Sequence, residues 1–131
     1  MAKSPIKVLF VDDEEDICEI LEAEFEDQYQ VFTATSVVEA IQIKKKENIK
    51  IIFTDLNMKK IGGIDLCRKI KETDVVTIVM AFTGFQNLTQ IFELRDAGFE
   101  DFFLKPFNME QLENSLAYCA DRINRWLFSK E

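Results

Sequence analysis

Apolar positions fall into short unbroken runs, each followed by a stretch with helical spacing. Ile51-Ile52-Phe53-Thr54-Asp55 is the run that organises the rest: β-branched and aromatic residues ending in one carboxylate. A continuous run of this length predicts a strand buried on both faces, as at the centre of a parallel sheet. Ile6 to Val11 predicts a second buried strand, closed by Asp12-Asp13-Glu14-Glu15-Asp16. A helix follows, with Ile17, Ile20, Leu21 and Phe25 on its apolar face. Tyr29 to Thr35 alternates as a short strand does, and Ser36 with Glu39 makes a capping box. The helix it opens carries Val38, Ala40, Ile41 and Ile43 and closes on Lys44-Lys45-Lys46. Those lysines read as a solvated last turn that suits the helix dipole.

Beyond the central run, Lys59-Lys60-Ile61-Gly62-Gly63 predicts a loop, and Ile64 to Lys71 a helix with Leu66, Cys67 and Ile70 on one face. Val75 to Ala81 predicts a strand that ends at Phe82-Thr83-Gly84. Asn87 or Thr89 starts a helix with Leu88, Ile91, Phe92 and Leu94, stopped at Ala97-Gly98. Phe99 to Leu104 predicts the last strand, ending in Lys105-Pro106, and a final helix runs from about Asn108 to Phe128. Five alternations of strand and helix imply an α/β fold, a doubly wound parallel (βα)5 sheet with helices on both faces. The flavodoxin-like order 2-1-3-4-5 is the expected topology.

That order brings the carboxyl ends of four strands to one edge. They carry Asp12 and Asp13, then Asp55, then Thr83, then Lys105. Alone, Asp55 reads equally well as a turn cap, and one Asp after the first strand would cap its helix. Three carboxylates, a hydroxyl and an amine on one sheet edge exceed what capping needs.

Composition narrows the chemistry. The chain has 131 residues, 47% of them hydrophobic, which fits one folded domain. Its formal charge of −8 argues against a nucleic-acid backbone or an anionic membrane as main partner. No run reaches the roughly 20 apolar residues of a membrane span. Met-Ala-Lys-Ser-Pro has no signal-peptide layout, so a cytoplasmic location is expected. Cys18, Cys67 and Cys119 lack metal spacing and read as reduced, buried thiols. The chain contains no histidine, which excludes histidine-activated nucleophiles and a phosphohistidine of its own.

The set Val11-Asp12-Asp13-Glu14, Asp55-Leu56-Asn57-Met58, Thr83-Gly84 and Lys105-Pro106-Phe107 resembles the receiver domain of two-component response regulators. The resemblance covers residues 6 to about 122. It implies a signalling domain, not an enzyme beyond self-phosphorylation and slow autodephosphorylation, that accepts a phosphoryl group on Asp55 from a sensor histidine kinase or phosphotransfer protein. It implies a Mg2+ (or Mn2+) ion held by Asp13, Asp55 and the Asn57 main-chain carbonyl, with Asp12 acting mostly through water. Lys105 and Thr83 would meet the phosphoryl oxygens, and the Lys105-Pro106 bond would be cis. Thr83 and Phe102 would form a switch that remodels a surface of the fourth helix, fifth strand and fifth helix. A downstream protein target, an output domain beyond this chain, or a homodimer formed on phosphorylation would read that surface; direct nucleic-acid binding is not expected.

Two departures accompany the resemblance. Lys59 stands where family members commonly carry Pro, and the bulky Phe85 is expected to slow loss of the phosphoryl group. Residues 1–131 read as a single receiver domain whose last helix extends over 123–131. Trp126 and Phe128 there could pack back, form a dimer surface or begin a linker. Two other classes compete: a Mg2+-dependent hydrolase of small phosphates and a pseudo-receiver that only binds. The adjacency of Asp12 and Asp13 and the missing cap domain weigh against the first. The complete set Asp12, Asp13, Asp55, Thr83 and Lys105 weighs against the second.

Overall fold

The computed structural model describes residues 5–58, 62–84 and 88–128, with the main chain alone at 88, 89, 127 and 128. Within them lie β1 (Lys7–Val11), α1 (Glu15–Phe25), β2 (Gln30–Ala34), α2 (Val37–Glu47), β3 (Ile51–Asp55), α3 (Gly63–Thr73), β4 (Ile78–Thr83), α4 (Leu88–Ala97), β5 (Asp101–Leu104) and α5 (Met109–Phe128). The strands form one sheet in the order β2-β1-β3-β4-β5, all pairs parallel. This is the doubly wound order that the alternation of runs predicts.

Strand side chains alternate between two cores, as a period of two requires. Leu9, Val11, Ile52, Val79 and Ala81 face α2, α3 and α4. Val8, Phe10, Ile51, Phe53, Met80 and Phe82 face α1 and α5. Every residue of β3 and β4 is buried, because helices cover both faces and neighbours cover both edges. The second core contains a row of phenylalanine rings. Phe25, Phe10, Phe53, Phe82 and Phe107 follow one another at centroid separations of 5.5, 5.5, 5.8 and 4.5 Å. Such offset pairs add about 0.5–1.5 kcal/mol each beyond their burial. The row reaches from α1 to the residue two after Lys105.

Several local expectations are corrected. β4 begins at Ile78, not Val75; Val75 and Val76 are exposed. Asp74 Oδ1 accepts the Val76 N–H at 3.1 Å, and that side-chain turn takes the place of a strand ladder. The register then starts where Ile78 meets Ile51. β5 likewise begins at Asp101, after the turn in which Gly98 takes φ +107°. Ile20, Val38 and Phe92 lie on exposed faces, while Cys18 and Val37 fill the core positions beside the first two. Lys44 is buried, not solvated: its ammonium donates to Asp74 Oδ2 at 2.9 Å. Ser36 caps α2 as expected, accepting the Glu39 N–H, while Glu39 reaches back to the Thr35 N–H. The three cysteines are free and buried, and burial pushes each thiol up to about 11. Among the described residues no helix is long and apolar enough to cross a membrane.

Candidate functional site

The site lies at the switch point between β1 and β3, where crossovers run to opposite faces of the sheet and leave a crevice. Backbone hydrogen bonds fix its walls. Asp12 N–H donates to the Ala34 carbonyl, Leu56 N–H to the Phe82 carbonyl, and Lys105 N–H to the Thr83 carbonyl. Each strand end is thereby tied to its neighbour, and the side chains there have little freedom to drift.

Asp12 is fully buried, with both oxygens used: Oδ1 accepts the Glu14 N–H at 3.0 Å and Oδ2 the Lys105 ammonium at 3.1 Å. The capping reading of Asp12 is corrected: α1 has Glu14 at its N-cap position with no side-chain cap, and Asp12 Oδ1 closes a side-chain turn just before it. Cys18 Sγ donates to the Asp12 carbonyl at 3.4 Å. Asp55 is buried at the end of β3, and its Oδ1 lies 3.4 Å from the Lys105 ammonium. Burial raises the Asp55 carboxyl above its ordinary value; Lys105 pulls it down and the Asp12 charge pushes it up. Burial alone would lower Lys105, but the hydrogen bond and charge of Asp12, with Asp55, raise it. Lys105 is thus an ammonium wherever the domain is folded near neutrality. It also stands over the Phe107 ring, 5.9 Å from the centroid.

Asp13 is half-buried, and Asp12, Asp13 and Asp55 each offer an oxygen within 4.8 Å of the others. Charges at that spacing repel by about 3 kcal/mol per pair at an effective dielectric of 20. Lys105 offsets one of the three. The remaining excess, made wholly of hard oxygen donors, fits a divalent cation of the Mg2+ kind. Room for it exists: Asp13, Asp55, Asn57, Gly84 and Lys105 line an open cavity of about 490 Å³. The Asn57 N–H points at Asp55 Oδ1 from 3.4 Å, and the Asn57 side chain is exposed. Thr83 is fully buried at the last position of β4. The Lys105-Pro106 peptide bond is cis. Phe102 is half-buried and packs against the α2–α3–α4 core. Phe85 and Lys59 lie outside the described residues.

Gly63 is a site residue for a reason that the pattern did not reveal. It opens α3 directly beneath β3, where a Cβ would overlap the Asp55 carbonyl oxygen and sit 3.1 Å from its carbon. The paired glycines signalled only a turn, yet the requirement is close approach to the Asp55 main chain.

A doubly wound sheet with three carboxylates and a lysine at its switch point defines a class of acid-lined α/β domain. The family model described as "Response regulator receiver domain" matches residues 8–117, and the chain belongs to that family. It is 28% identical over 111 residues to sporulation initiation phosphotransferase F of Bacillus subtilis (strain 168), across 84% of this chain and 90% of that protein. It is 32% identical over 124 residues to the probable transcriptional regulator ycf27 of Guillardia theta, across 94% of this chain and 48% of that protein. The structure of a response regulator receiver domain protein from Clostridium thermocellum superimposes with a TM-score of 0.85 at 26% identity, covering 93% of this chain and 99% of the other. The chain spans about half the length of the ycf27 relatives it matches. Relatives so named give no support to the expectation that nucleic acid is not a partner.

Proposed function

We propose that Asp55 accepts a phosphoryl group from the phosphohistidine of a sensor kinase or phosphotransfer protein. The placement of Lys105 between Asp12 and Asp55 carries this reading. An Asp55 oxygen attacks phosphorus, the P–N bond to the donor imidazole breaks, and its electron pair stays on the departing nitrogen. The product is an acyl phosphate. Lys105 meets the negative charge on the phosphoryl oxygens, and the Thr83 hydroxyl donates to one of them. A bound Mg2+ or Mn2+, held by Asp12, Asp13, Asp55 and the Asn57 carbonyl, would neutralise carboxylate and phosphoryl charge together. Water later attacks phosphorus and restores the carboxylate, so the domain is a switch and not a catalyst for other substrates.

The readout surface lies on α4, β5 and α5, where Phe92, Leu104 and Tyr118 are exposed. Once Thr83 turns toward the phosphoryl group, Phe102 fills the space behind it, and the surface changes shape for a downstream protein or output domain. Residues 1–131 act as one receiver unit, and α5 beyond Ile123 serves as a dimer surface or a linker. Trp126 is 67% exposed while Ile123 is buried, so Trp126 does not pack back on the domain.

The test is transfer from a phosphorylated kinase followed by borohydride, which reduces an acyl phosphate to an alcohol. Peptide mapping should find homoserine in place of Asp55. Phosphate at any other residue, or none on folded protein, refutes the assignment.

A further inference from the structure

Lys44, Lys45, Lys50 and Lys69 lie at the end of the molecule opposite Asp55. A groove of about 490 Å³ between α2 and α3 is lined by Lys44, Lys45, Lys69 and Asp74, with Ile41 and Ile70 as its apolar wall. It lies at the amino ends of β3 and β4, since Lys50 precedes β3 and Asp74 precedes β4. The length of β3, five residues or about 16 Å, separates it from the carboxylate site.

The charge in this groove does not balance. Asp74 Oδ2 accepts from both the Lys44 ammonium at 2.9 Å and the Lys50 ammonium at 2.6 Å, and Oδ1 is taken by the Val76 N–H. One carboxylate therefore serves two ammoniums. Lys44 has only 9% of its side chain exposed, so solvent screens it little. Lys45 and Lys69 form no ion pair among the described residues. Three lysines and one aspartate line the groove, which leaves 3 − 1 = +2 in a chain whose total is −8. The carboxyl ends of α2 and α3 offset about half a charge each, so an excess of about one remains in the lining, with the Lys50 ammonium beside it on Asp74. The excess meets a concave wall with an apolar side.

We propose that the α2–α3 groove binds a small phosphate-bearing anion of the nucleoside diphosphate class. Lys45 and Lys69 would pair with the phosphates, the half-buried Ile41 would carry the ring, and Asn48 and Thr73 in the lining would hydrogen-bond its polar edge. The volume falls within the range of about 300–1,000 Å³ usual for small-molecule sites.

The test is titration of the full chain with pyrophosphate and with ADP, without divalent cation, followed by backbone amide shifts. Saturable shifts at Lys45, Asn48, Lys69 and Thr73 are expected, with ADP binding more tightly than pyrophosphate. In Lys45→Gln/Lys69→Gln, whose two changes lie on exposed positions, affinity should fall at least about tenfold. Shifts confined to the surroundings of Asp55 and Lys105 would overturn the proposal, as would unchanged affinity in the double variant. Equal binding of pyrophosphate and ADP would remove the role of the apolar wall and with it the nucleoside class. Tighter binding of a glutamate-rich peptide would assign the groove to a protein and overturn the proposal.

Discussion

The Lys105 ammonium is hydrogen-bonded to Asp12 Oδ2 at 3.1 Å before any phosphoryl group arrives. Asp12 thus holds the amine 3.4 Å from an Asp55 oxygen. Lys105→Met keeps the aliphatic stem and removes the charge. Phosphoryl incorporation on Asp55 should slow by about 10²–10³-fold, the usual cost of losing one aimed positive group. Asp12, buried and left with one oxygen unpaired, should also lower the unfolding free energy by about 1–3 kcal/mol in urea titrations. A variant with unchanged rate and stability would show that the contact is incidental.

The Asp55 carboxyl, raised by burial against the pull of Lys105, binds its proton more tightly folded than unfolded. Its contribution to stability is therefore fully present below the unfolded carboxylate value, about 3.9, and is lost as pH rises through the folded value. Asp55→Asn removes that loss. In chelator at pH 7 the variant should melt above the wild type, and the gain should shrink as the pH falls toward 4. Equal melting at pH 7 would contradict the electrostatic picture.

Asp74 behaves in the opposite sense. Burial raises its carboxyl, but hydrogen bonds from Lys50 and Lys44 outweigh burial and hold it well below the usual range. That contribution is present above about pH 3.9 and disappears as pH falls through the folded value. Asp74→Asn should lower stability at pH 7 by about 1–3 kcal/mol, below the full cost of breaking a buried pair because the site is partly open. The deficit should be nearly the same at pH 5 and narrow only below about pH 4. A deficit that vanishes between pH 7 and pH 5 would show that Lys44 and Lys50 are not what the carboxylate serves.

Gly63→Ala places a methyl group against the Asp55 main chain. Since the contact is backbone on backbone, no rotamer relieves it, and a loss of about 1–3 kcal/mol is expected. Phosphoryl incorporation should fall as well, because β3 must shift at Asp55. Wild-type values of both would mean that α3 can retreat without moving the site.

The central strands and the converging side chains were legible because each rests on one signal. Ile51 to Thr54 read as a strand buried on both faces and is one, and Asp12, Asp13, Asp55, Thr83 and Lys105 come to one edge once the strand order does. What failed to show were relations between distant segments. Val75 and Val76 carry strand propensity, yet Asp74 draws their backbone into a turn because it is anchored by Lys44 and Lys50. Lys44 looked like its neighbours Lys45 and Lys46 until Asp74, thirty residues away, gave it a buried partner. Ile20 and Phe92 fit a helical period but fall outside the arc that each helix turns to the sheet. Gly63 hid its role because a turn glycine and a close-approach glycine are the same letter.

The central claim is that Asp55 is a phosphoacceptor that works with a divalent cation. The most direct measurement is the intact mass of wild type and Asp55→Asn after incubation with acetyl phosphate, with Mg2+ and with chelator. One added phosphoryl group is expected on the wild type with Mg2+, and none in chelator or on the variant. A phosphoryl group on Asp55→Asn, or equal incorporation with and without Mg2+, would contradict it.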